Sequence, residues 1–275
     1  MILGNKRRIY GIHREEELKY IMSMLLKYVE ENVAEVDELP MLPLFHSCEG
    51  YVGNQILVKK KLLINRCKTF DEDLLYFFYG KPSYPISYNE SRTDSLYCPI
   101  SFVINPQKVN IYKIFPFDTG AFKRKLYEGF IPDKIEMDNY ELGNTIESVL
   151  QYISVMFDNN DNYINGICNK KDDKSYEINV LLKLLNATGS FEFDERSNTV
   201  EIISNMNLEL KGAIECIILP ENLLRVDEIA AFVEESRVQV KKYKVRRLTA
   251  PDRYNEIVFQ LAMEYLQEGK NSGDV

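Results

Sequence analysis

The chain has 275 residues, a mass of 32.1 kDa, a net charge of −8 and a pI near 5.1. A chain of this size buries roughly 70–75% of its unfolded surface and needs no disulfide staples. Its acidic balance argues against a broad electrostatic grip on nucleic acid or anionic membrane, and 45% hydrophobic with 28% charged residues excludes a disordered chain.

Five cysteines, at positions 48, 67, 98, 168 and 216, form no CxxC pair. With only His13 and His46 beside them, they offer no ready Cys/His zinc site and point to reduced thiols in a cytoplasmic protein. The opening MILGNKRRIYGIH lacks the apolar core of a signal peptide. No window reaches the roughly 18–20 consecutive apolar residues of a membrane span. A soluble, intracellular protein without a membrane partner is expected.

In chain order, residues 14–35 predict an amphipathic helix, with Leu18, Ile21, Met22, Leu25, Leu26 and Val29 on one stripe. Pro40 and Pro43 bracket a short apolar strand, Met41–Phe45, ending at His46. Residues 53–63 predict a second helix, and the aromatic run Phe70–Tyr79 a strand closed by Gly80-Lys81-Pro82. Strands follow at 98–104 and 108–115, then a helix at 143–156 and a polar loop at 158–166. A helix over 175–186 stops at Gly189. Residues 190–203 read as two short strands around a polar turn, followed by a strand at 211–220 and a helix at 226–235. A last strand at 238–248 and a helix at 251–268 complete the chain. These elements predict one α+β domain over 1–275: a helical extension to residue 40, a core over 41–220, and a helix-strand-helix tail over 221–275.

Dinucleotide-fold, P-loop, HExxH, GxSxG and kinase signatures are all absent, so most standard enzyme classes lose weight. The basic runs Lys59-Lys60-Lys61 and Lys241–Arg247 read more readily as solvated faces than as phosphate sites. Three segments carry more. LPLFHSCEGYVGNQILVKKKLL is a strand ending in His46, a turn and a helix. TFDEDLLYFFYGKPSY holds Tyr76, Tyr79 and Tyr84. SNTVEIISNMNLELKGAIECIILP has Glu201 heading one strand, with the strand Gly212–Leu219 after it.

Together these segments resemble the ADP-ribosyltransferase fold of the diphtheria-toxin and poly(ADP-ribose) polymerase type over roughly residues 41–220. The resemblance implies a split, mixed and largely antiparallel sheet core with helical decorations at both ends. It also implies NAD as the substrate. His46 would anchor the adenosine ribose, Tyr79 or Tyr76 would stack on nicotinamide, and Glu201 would stabilise the reacting ribose. Ser47 and Tyr84 are added to the expected NAD-binding set, as is Arg196, whose place in DERSNT suits phosphate or substrate. Ser47 and Cys48 stand where the family often has Gly or Thr, and the glycine-rich lead-in of the polymerase branch is absent.

Such residue types suit the chemistry, because cleaving the nicotinamide–ribose bond passes through a cationic ribose that needs orientation and a nearby negative charge. Each has an ordinary reading beside it. His46 can be a strand-end histidine bonded to backbone. One of Tyr76 and Tyr79 is core, because alternation puts them on opposite faces. Glu201 can be the solvent-facing member of its strand. Glu215, flanked by Ile214 and Cys216, is the rival carboxylate and a candidate for a raised pKa. At Gly80, a turn is expected to lift the Tyr79 ring towards a cleft, with Tyr84 as the second wall.

The function expected is therefore an NAD-dependent ADP-ribosyltransferase, or an NAD glycohydrolase using the same site. A bacterial toxin or anti-phage effector, with a protein or nucleic-acid target and a protein partner or antitoxin, fits this expectation. The alternative is a non-enzymatic binding or regulatory subunit of a cellular complex.

Overall fold

The computed structural model describes residues 22–33, 39–83, 95–187, 195–246 and 249–272. Ser23 caps helix α1 (Met24–Asn32) by accepting from the Leu26 amide, and Leu25, Leu26 and Val29 bury its inner face. The helix expected over 14–35 is thus shorter where it is described, since Met22 and Ser23 precede it and Val33 is already extended, while residues 14–21 and 34–35 lie outside the described residues. Strand β1 (Leu44–Glu49) does not end at His46, because β5 (Pro99–Ile104) pairs with all six of its residues and carries it on. Helix α2 (Gly50–Lys59) stops before residue 63, since Lys60 turns into the left-handed region at φ 54° and Lys61–Leu62 become a short strand, β2.

A hairpin of β3 (Asn65–Cys67) and β4 (Glu72–Tyr79) follows. The strand expected over 108–115 shrinks to β6 (Lys113–Phe115), because Asn105 caps a 3-10 turn opened by Pro106. Helices α3 (Thr119–Lys123) and α4 (Ile146–Phe157) are capped by Asp118 and Thr145. The stretch 158–166 is not a plain loop. Asn159 caps a helical turn there, α5 (Asn160–Ile164), and the turn buries Tyr163.

Helix α6 (Tyr176–Leu185) follows. Of the two strands expected over 190–203, residues 190–194 lie outside the described residues. Glu195–Asn198 form a 3-10 turn and Glu201–Ser204 form β7. Then come β8 (Leu208–Glu209), β9 (Ile214–Pro220), α7 (Asp227–Ser236), β10 (Gln239–Tyr243) and α8 (Asn255–Ser272).

Eight strands make one sheet in the order β10–β9–β5–β1–β4–β7–β6, with β3 added to β4, while β2 and β8 pair apart. Among the described residues only β10–β9 is parallel; the other pairs are antiparallel. This is a mixed α+β architecture with helices near both ends of the chain. One sheet face carries the main core, where Phe102, Ile202 and Ile217 meet Leu25, Leu57, Ile153 and Leu181. On the other face, Phe45, Val103, Cys216 and Ile218 are closed over by Tyr254, Val258 and Ala262. Leu74, Phe115 and Ile203 form a smaller cluster beside them.

Candidate active site

β1 stays with β5 for six residue pairs but with β4 for only two, Leu44–Tyr79 and Phe45–Phe78. His46 stands where β1 and β4 part. Its Nδ1 lies 2.9 Å from the Tyr76 carbonyl oxygen, and its ring meets Phe77 edge-on at 5.9 Å. A carbonyl can only accept, so Nδ1 carries the proton and Nε2 is left as the acceptor. Burial lowers the pKa of this histidine below its usual value, with the Tyr76 carbonyl pulling back, so the ring is neutral at pH 7.

Tyr79 does not leave the sheet. It is 0% exposed, its hydroxyl accepts from the Leu42 amide at 2.8 Å, and its carbonyl accepts from the Tyr163 hydroxyl at 2.8 Å. Gly80 does take a positive φ of 74°, but its amide donates to the Pro43 carbonyl, and this keeps the chain end against β1. The lifted ring is therefore corrected to a core ring. Tyr84, its expected companion wall, lies outside the described residues. Tyr76 is the half-buried tyrosine, with its hydroxyl 2.6 Å from Cys67 Sγ. Burial would raise the Cys67 thiol, but hydrogen bonds from Tyr76, Phe70 and Thr69 outweigh it and hold the pKa below the usual value.

Cross-strand partners share a face, and neighbours along a strand do not. Phe45 pairs with Phe78 and Phe78 with Glu201, so Glu201 points to the face opposite His46, on the side of Tyr76. His46 and Glu201 therefore stand on opposite faces of the sheet. Glu201 does not face solvent: it is 3% exposed, and its Oε2 accepts from the Thr119 amide at 3.1 Å and hydroxyl at 2.6 Å. Burial, with Asp118 close by, raises its pKa well above the usual carboxylate range. Arg196 is turned to Asp118, Nη1 to Oδ2 at 3.3 Å. Ser47 also points away from His46, and its Oγ lies 3.0 Å from that of Ser101.

Glu215 sits differently. The β5–β9 register runs from Val103–Cys216 to Ile104–Ile214, which leaves Glu215 as the bulged residue without a direct partner. It lines a cavity of about 570 Å³ with Pro43, Asn105, Gln239, Tyr265 and Glu268. Burial raises its pKa, while Tyr265 and Asn105 pull it back through hydrogen bonds. Of the two carboxylates, this is the one with room beside it.

Sequence reasoning passed over Lys81 and Asp118. Lys81 is 1% exposed, and its ammonium donates to the Asn198 Oδ1 at 3.1 Å and the Ile164 carbonyl at 3.3 Å. The only sequence sign was a lysine caught between Gly80 and Pro82. Burial pushes its pKa down to about 8 from an ordinary 10.5, with Glu195 opposing. A lysine depressed in the folded state costs stability below pH 8, and the cost fades as pH rises from 8 to 10.5, where only the unfolded chain holds the proton. The full difference is about 3 kcal/mol. Thermal melting against pH should therefore show wild type gaining on Lys81→Met as pH rises through that window. A constant gap between the two would contradict a buried ammonium.

Four lysines of the basic runs have acidic partners close by. Lys60 pairs with Glu235, Lys61 with Glu209, Lys241 with Glu264 and Glu268, and Lys242 with Glu221. The five cysteines are free thiols. No helix among the described residues is long and apolar enough to cross a membrane.

No protein-family model and no curated protein matches the chain. Among solved structures, the chain is similar to Thermus sp. 2.9 DarT in complex with NAD+, with a TM-score of 0.39 and 11% identity over 75% of this chain and 98% of that one. The same protein in complex with carba-NAD+ gives a TM-score of 0.36 and 11% identity over 76% and 97%.

Proposed function

We propose that this chain cleaves the nicotinamide–ribose bond of NAD, as an ADP-ribosyltransferase or as an NAD glycohydrolase at the same site. The observation that carries the reading is His46 at the parting of β1 and β4, neutral and with Nε2 as its acceptor. An acceptor nitrogen takes a hydrogen bond from a ribose hydroxyl, which an imidazolium could not do. Tyr76, half-buried beside the same parting, supplies the ring against nicotinamide in place of Tyr79.

The carboxylate in this reading is Glu215. As nicotinamide leaves with the electron pair of the broken C1′–N bond, positive charge grows on the ribose, and a carboxylate aimed there stabilises it. Glu215 has a cavity beside it, whereas Glu201 is walled in and committed to Thr119. β9 lies two strand spacings from β1, about 10 Å. Glu215, bonded from α8, is approached from the face opposite His46 as Glu201 is, so the choice between the two carboxylates rests on the cavity and not on a shared face. Glu201, with Asp118 and Arg196, then serves as a buried brace behind Tyr76. A toxin or defence effector acting in the cytoplasm, with a protein or nucleic-acid acceptor, is part of the same proposal.

Incubating the purified protein with NAD should release nicotinamide. Millimolar NAD should also raise the melting temperature, since a ligand at 100 times its dissociation constant adds about 2.7 kcal/mol. A protein that neither releases nicotinamide nor melts higher with NAD is instead a non-enzymatic binding or regulatory subunit.

A further inference from the structure

One contact joins the last helix to the pocketed carboxylate. α8 lies over β5 and β9, with Val258 and Ala262 in the apolar cluster on that face. From the next turn, Tyr265 donates its hydroxyl proton to Glu215 Oε2 at 3.0 Å. Asn105, just after β5, bonds the same carboxyl group. A bulged residue has no ladder partner directly opposite to set its direction. What aims the Glu215 side chain is therefore the pair of donors around it.

The helix itself is pinned next to Tyr265. Lys241 of β10 reaches Glu268 at 2.8 Å and Glu264 at 3.8 Å, and Gln239 donates to Glu268 at 2.9 Å. Glu268 also lines the Glu215 cavity, so the charged groups on this side are Glu268 and Glu264 with Lys241 between them. The lysine offsets the glutamates. The Tyr265 hydroxyl is the group on α8 that bonds Glu215 directly.

We infer that Tyr265 is the positioning residue for the Glu215 carboxylate, which makes the C-terminal helix α8 part of the catalytic unit. The inference rests on Glu215 being the working carboxylate. A hydroxyl that donates to a carboxylate favours its ionised form and holds one oxygen still, so the other oxygen keeps a fixed direction into the cavity. Removing the hydroxyl should leave NAD binding alone, because Tyr265 meets Glu215 and not the proposed nucleotide anchor at His46.

The test uses the full chain with Tyr265→Phe, which deletes one oxygen. Turnover should fall about tenfold, the size of one hydrogen bond to a charged group, with the Michaelis constant for NAD nearly unchanged. The acid limb of the pH profile should move to higher pH. NMR of protein carrying carbon-13 glutamate, with Glu215 assigned through Glu215→Gln, should show that carboxyl titrating higher in the same variant. Tyr265→His, which restores a ring donor, should recover part of the loss and serves if Tyr265→Phe does not fold. A Glu215 titration that stays put in Tyr265→Phe overturns the role of Tyr265, whatever the turnover does. Turnover that survives Glu215→Gln overturns the assignment of Glu215 instead, and the titration still decides whether Tyr265 sets that carboxyl.

Discussion

Glu215→Gln should reduce nicotinamide release by on the order of 10²–10⁴-fold, the range expected for a working acid or base, whereas Glu201→Gln should leave it within about tenfold. The contrast follows from access, not from residue type. Glu215 borders a cavity of about 570 Å³. Glu201 is sealed behind Thr119, and a glutamine there still accepts both Thr119 hydrogen bonds.

Stability should separate the two variants further. Glu201 has a folded-state pKa raised by burial and by Asp118. In the folded protein it therefore binds its proton more tightly than in the unfolded chain. Its contribution is favourable at low pH and is lost as pH rises from the ordinary carboxylate range towards the raised value. Glu201→Gln carries no titrating proton and escapes that loss. Its melting temperature relative to wild type should rise as pH goes up from 4.5 through neutrality. A wild type that holds its margin over Glu201→Gln across that range would mean that Glu201 is comfortably ionised. If instead Glu201→Gln abolishes turnover and Glu215→Gln spares it, the roles of the two carboxylates are exchanged.

The other large effect is on folding. Tyr79→Ala removes a ring that is 0% exposed, packed against Tyr163, and with its hydroxyl accepting from the Leu42 amide. Large-to-small changes at such aromatic sites cost about 3–5 kcal/mol, and the unpartnered Leu42 amide adds to that. For a chain of this length the melting temperature should fall by about 10 °C. Tyr76→Ala opens no sealed cavity and should cost less stability, while raising the Michaelis constant for NAD. Thermal melts and NAD kinetics on both variants check this. A Tyr79→Ala protein that melts like wild type would place that ring outside the core.

Hydrophobic period made much of the fold legible. The stripe of α1 and the runs of β4, β5 and β9 act within a few residues of themselves, so composition and spacing are enough to reveal them. The same periodicity reads over the caps at Ser23 and Thr145, which set where α1 and α4 start. The flanking of Glu215 by apolar residues likewise announced its raised pKa, because burial is a local consequence of a buried strand.

Strand length and facing were decided elsewhere. β1 runs past His46 because β5 pairs with it, and β6 is short because a capped 3-10 turn takes up its first residues. The order of His, Tyr and Glu along the chain carried no information about which sheet face each side chain takes. One step of register moves a side chain to the other face, and only the β1–β4–β7 pairing sets that step. The same pairing put Tyr79 in the core and Glu201 opposite His46. The sequence by itself determined the elements and the kinds of group available. The tertiary structure decided which of them share a face and which carboxylate has open space beside it, because pairing register and the covering by α8 involve residues far apart in the chain.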